Sequence, residues 1–150
     1  MATNLINQIK AAMISAMREK RGADLSTIRM LQAAIKQKEI DERVVATESV
    51  VLAIIEKMIK QREESIRLFE TGNRTELAAK EQAEIKTLQA FLPEPLSPQA
   101  LEDLITNAIA EAKATSVKDM GRVMALLKPK IQGRAPVSTA SAIIKSRLDR

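Results

Sequence analysis

Apolar residues recur every three or four positions along almost the whole chain, and nowhere is there the sustained alternation that a half-buried strand requires. The pattern predicts an all-α protein. The first helix reads from about Asn4 to Lys20, with Leu5, Ile6, Ile9, Met13, Ala16 and Met17 on one face and Gly22 beyond it as a left-handed cap. A second follows from about Leu25 to Val44, with Asp24 placed to accept from its first free amides. The longest runs from about Glu48 to Glu70 on a stripe of Val51, Ile54, Ile55, Met58, Ile66 and Phe69, closed by Gly72. Asn73-Arg74-Thr75-Glu76 then resembles a capping box and opens a fourth helix reaching about Phe91.

Leu92-Pro93-Glu94-Pro95-Leu96 interrupts this rhythm, because proline has no amide hydrogen and forces the residue before it out of helical geometry. The chain is therefore expected to divide into a larger bundle of about four helices over residues 1–92, a proline linker at 93–96, and a smaller three-helix unit over 97–150. Ser97-Pro98 restarts a helix as cap and first turn, carried by Leu101, Leu104, Ile105, Ala108 and Ile109 to about Glu111. Ser116 and Asp119 have capping-box spacing for the next helix, which Pro129 is expected to stop near Lys128. A last helix is read from about Val137 to Leu148.

The absence of cysteine and histidine removes disulfides, Cys/His zinc sites, thiolate nucleophiles and the usual neutral-pH proton shuttle. The four glycines are isolated, so no phosphate-cradling loop and no dinucleotide turn can be assembled. No cofactor and no metal are expected. Phe69 and Phe91 are the only aromatics, which leaves no platform for stacking bases. No window approaches the ~18 apolar residues of a membrane span, and the first ten residues lack a cleavage pattern. On these grounds the protein is expected to be soluble, cytoplasmic and not bound to a membrane.

Charge adds one strong asymmetry. Glu94 to Glu111 holds four acids and no base, whereas Ala112 to Arg150 holds nine Lys or Arg and two acids, Asp119 and Asp149. On the sixth helix Val117, Met120, Val123, Met124 and Leu127 share one side at ~100° per residue, with Lys118 and Arg122 opposite. Lys128, Lys130 and Arg134 are then expected in a loop stiffened by Pro129 and Gly133, a group suited to phosphate contacts. A solvated surface, with the two lysines complementing the negative end of the helix, would show the same charges. Elsewhere Arg62 falls inside the apolar stripe of the third helix and needs a partner. The stripe of the second helix continues through Glu39 and Glu42, so a structural ion pair between Arg62 and one of these is expected. Adjacent acids such as Asp41 and Glu42 diverge by ~100° on a helix and give no acid–base pair.

Four segments, IRMLQAAIKQKEID from Ile28, KQREESIRLFETGNR from Lys60, LQAFLPEPLS from Leu88 and KDMGRVMALLKPKIQGR from Lys118, closely resemble the GatB/YqeY family, with the chain looking like a free-standing YqeY-like member. The departures are Lys113-Ala114 before the sixth helix and Ala135-Pro136-Val137-Ser138 after Arg134, where the family tends to carry glycine and an acidic turn. The resemblance implies a non-catalytic helical module similar to the tail of the GatB subunit of glutamine-dependent tRNA amidotransferase, which helps to hold tRNA. Lys118, Arg122, Lys128, Lys130, Arg134 and Lys145 would then hold tRNA or another structured RNA by its phosphates. A protein-interaction module or accessory factor of the amidotransferase is the alternative. Carbon–nitrogen ligase activity with glutamine as amido-nitrogen donor would be inherited family wording, since the chain carries no groups for that reaction.

Overall fold

The computed structural model describes residues 4–149; Arg150, part of the basic surplus, lies outside them. Seven α-helices and a 3₁₀ turn make up the regular structure, with no strand among the described residues. The chain divides into two compact units, Met1–Leu92 and Pro93–Arg150.

The first unit holds α1 (Asn4–Arg18), α2 (Gly22–Glu42), α3 (Glu48–Thr71) and α4 (Thr75–Gln89). Leu5 and Ile9 from α1, Ile28, Leu31 and Ile35 from α2, Val51, Ile55, Met58 and Ile59 from α3, and Ile85 and Leu88 from α4 form its core. Each such side chain contributes about 1.5–3 kcal/mol by leaving water, and this burial, rather than helix propensity, holds the bundle together. Phe91 and Leu92 pack against the same cluster.

Several helix ends differ from expectation. Lys20, at φ 55°, takes the left-handed position expected of Gly22, which instead begins α2. Asp24 lies in the first turn of α2 and caps nothing. Its carboxylate accepts from the Arg21 guanidinium at 2.7 Å and from the Thr87 hydroxyl on α4 at 3.1 Å. Asn73, at φ 58°, turns the chain after α3 in place of Gly72, as a short polar side chain permits. It does not cap α4, which starts behind Arg74 with no side-chain cap.

The second unit contains α5 (Pro98–Ala112), the 3₁₀ turn Val117–Asp119, α6 (Met120–Ile131) and α7 (Val137–Leu148). Ser97 caps α5 as expected, its hydroxyl accepting from the Ala100 amide at 3.1 Å. The core is built from three buried residues per helix: Leu101, Ile105 and Ala108; Val123, Leu127 and Ile131; Ala140, Ile144 and Leu148. Their three-to-four-residue spacing is the inward stripe of each helix.

Pro129 does not stop α6, which continues to Ile131. The proline only deprives the Ala125 carbonyl of its partner, and Ala125 is exposed, so water can donate there. Lys128 and Lys130 therefore lie on a helix and not in a loop. Just beyond the helix end Gly133 is buried at φ 75°, where a side chain would be strained.

Candidate functional site

The basic residues of the second unit fall into two chemical groups. Its described arginines are all engaged. Arg122 donates to Asp119 at 2.9 Å, Arg134 donates through Nε to the Glu94 carbonyl at 3.0 Å, and Arg147 ties α7 to α5 through Thr106 and Glu102. The lysines Lys113, Lys118, Lys128, Lys130 and Lys145 are exposed, and their side chains have no hydrogen bond or ion pair among the described residues.

Arg134 serves the fold on both its chemistries. Its carbonyl accepts from the Leu96 amide at 2.9 Å while its side chain holds the Glu94 carbonyl, so the turn after α6 grips the proline segment within this unit. Arg122 stands on a more elaborate support. Asp119 accepts from the backbone amides of Thr115 and Ser116 at 2.9 and 3.2 Å, fastening the entry to α6. Those two amide bonds, then Arg122 beside it, hold the Asp119 carboxyl below the usual carboxylate range.

The helix decides which lysines share a face. With Val123, Leu127 and Ile131 buried, ~100° per residue puts Lys128 on one flank of the inward stripe and Lys130 on the other, with Arg122 and Pro129 outermost. Lys128 and Lys130 are thus spread around α6 instead of clustered. Lys118 precedes this set on the 3₁₀ turn, and Lys145 lies in the last turn of α7.

The ion pair expected between Arg62 and Glu39 or Glu42 does not form. Glu39 accepts from the Ala46 amide at 2.7 Å, fixing the turn after α2, and Glu42 pairs with Lys38 at 2.7 Å. Arg62 instead donates to Glu84 on α4 at 2.9 Å, approaches Glu81 at 3.9 Å, and also donates to the Met58 carbonyl and the Met30 sulfur. The missed partner has a signal in the sequence: Arg62 and Glu84 lie equally far from the turn at Asn73, so an antiparallel α3–α4 hairpin sets them opposite. Burial, and then the neighbouring Glu84 carboxylate, push the Glu81 carboxyl up.

Among the described residues no group of three His, Cys, Asp or Glu could hold a metal ion, and no helix is long and apolar enough to cross a membrane.

Comparison with known families matches residues 6–148 to the family described as Yqey-like protein. "Altered inheritance of mitochondria protein 41, mitochondrial" from Pyrenophora tritici-repentis is 31% identical over 83% of this chain and 71% of its own length. The protein of the same name from Eremothecium gossypii is 36% identical over 75% of this chain and 63% of its own. That from Vanderwaltozyma polyspora is 33% identical over 70% and 58%. These mitochondrial names overturn the cytoplasmic expectation. A cysteine-free composition fits any reducing surroundings and carries no address.

Proposed function

The chain belongs to the YqeY-like family, and from that premise we propose that its carboxyl-terminal unit binds structured RNA, of which tRNA is the natural test, through the phosphate backbone. One observation carries this reading: five exposed lysines without an acidic partner, Lys118, Lys128, Lys130 and Lys145 among them, stand in a unit whose described arginines are all engaged. Lysine ammonium groups held free of carboxylates are available to replace the counterions of a polyanion, and they contact phosphates without reading sequence. The spread of Lys128 and Lys130 to opposite flanks of α6 suits a folded RNA that wraps a convex helix better than a single phosphate. Arg122 and Arg134 would take part after, or beside, their structural duties.

The test is the affinity for bulk tRNA measured against salt, with the wild type and a Lys128→Glu/Lys130→Glu variant. Wild-type binding should weaken steeply with salt, and the logarithmic slope should fall by roughly one unit for each phosphate that the variant no longer neutralises. Absence of binding at low salt, or identical slopes for the two proteins, overturns the proposal and turns attention to a protein partner.

A further inference from the structure

Between α1 and α2 the first unit holds a cleft of about 170 Å³ lined by Ile6, Ile9, Lys10, Gln32, Ile35, Lys36 and Glu39. Its floor is apolar, with Ile9 and Ile35 buried in the core beneath. An apolar cavity of about 150 Å³ takes up benzene, so the cleft has room for a short run of hydrocarbon.

The rim carries two positive charges against one negative. Glu39, the only acid lining the cleft, accepts from the Ala46 amide and makes no ion pair with either lysine. Lys10 and Lys36 are exposed and have no hydrogen bond or ion pair among the described residues. On the same helix Lys38 does find an acid, Glu42, at 2.7 Å. Two unpaired ammonium groups beside a hydrocarbon floor complement a ligand that is apolar along its length and anionic at one end.

We propose that this cleft binds a free acyl chain with a carboxylate head, its hydrocarbon on Ile6, Ile9 and Ile35 and its carboxylate between Lys10 and Lys36. Gln32 adds an amide able to donate to the same head group. The site lies in the amino-terminal unit and does not depend on the RNA reading of the carboxyl-terminal one.

The probe is a series from butanoate to hexanoate, with hexanol as the uncharged control, titrated into the full chain and followed through backbone amide resonances. Affinity should rise roughly fourfold for each methylene buried, with the shifts confined to residues of α1 and α2 around the cleft. Hexanol should bind roughly fivefold more weakly or worse, and Lys10→Gln/Lys36→Gln should lose a similar factor for hexanoate while leaving hexanol unchanged. Both lysines are exposed, so helical circular dichroism should be that of the wild type. Equal affinity for hexanoate and hexanol, no dependence on chain length, undiminished binding by the double variant, or binding to anionic vesicles alone would each overturn the assignment.

Discussion

Arg62 and Arg122 each donate to a carboxylate at 2.9 Å, yet they belong to opposite kinds of site. The Arg62 side chain is 13% exposed and also meets a carbonyl and a thioether, whereas that of Arg122 is 63% exposed and pairs with Asp119, in the 3₁₀ turn just before its helix. The two surroundings also act on carboxyls in opposite directions. Near Arg62, burial and then the Glu84 carboxylate raise Glu81, which stands 3.9 Å from the guanidinium, while two backbone amides and then Arg122 lower Asp119. The surroundings, not the pair, therefore decide whether an arginine organises the fold or remains at the surface. Where Arg62 ties two helices together, Arg122 leaves its own helix entry to the amides around Asp119.

The largest expected effect comes from removing the enclosed guanidinium. Arg62→Met keeps most of the hydrocarbon volume but leaves Glu84 and Glu81 crowded without a cation, and should cost about 2 kcal/mol in urea unfolding, less than for a fully buried pair because the cluster remains partly wet. A double-mutant cycle sharpens the contrast: coupling between Arg62 and Glu84 should be about 1–2 kcal/mol, and that between Arg62 and Glu39 indistinguishable from zero. Similar coupling in both cycles would mean that Arg62 acts through general charge and not through the α3–α4 contact.

Next in size is the pH dependence that the crowded acids impose. Since the Glu81 carboxyl is raised above its ordinary value of 4.5, the folded protein holds that proton longer than the unfolded chain. Its contribution to stability is present below that value and is lost as pH rises through the folded one. Glu81→Gln should remove this decline, so the variant gains on the wild type as pH increases through the window. Asp119 gives the opposite sign: its lowered carboxyl supports folding above 3.8 and loses that support as pH falls through the folded value. Asp119→Ala should therefore lower stability near neutrality and converge on the wild type in acid, as thermal unfolding at a series of pH values would show.

The contrast also explains what was legible in the chain. The helical stripes were readable because burial follows a fixed period, and Leu101, Ile105, Val123, Leu127 and Ile144 reach the core as their spacing implies. Ser97 was readable because a cap and a following proline are local chemistry. Turn residues were less so. Lys20 and Asn73 adopt left-handed backbone beside Gly22 and Gly72, which do not, because the path into the next helix sets the strained position and residue preference only biases it. Pro129 reads as a stop but is not one, because the cost of a missing donor depends on whether the orphaned carbonyl meets water. That Arg62 needed a partner followed from one helix alone. Which acid answered it required knowing that α3 folds back on α4. Glu39 looked available only because the Ala46 amide that claims it lies beyond the helix end.

The smallest effect on stability tests the exposed side of the comparison most directly. Arg122→Ala removes a surface pair of the kind that contributes little, while Asp119 keeps both backbone amides, so the melting temperature should stay within error of the wild type. In tRNA binding Arg122→Ala should also reduce the salt slope less than Lys130→Ala does, because Asp119 already offsets much of the Arg122 charge and no acid offsets Lys130. Equal reductions would show that RNA draws Arg122 away from Asp119, making the pair a resting place for the guanidinium. A smaller reduction, with the melting temperature unmoved, would establish the free lysines as the counterion-displacing groups and Arg122 as a surface cation already answered by Asp119.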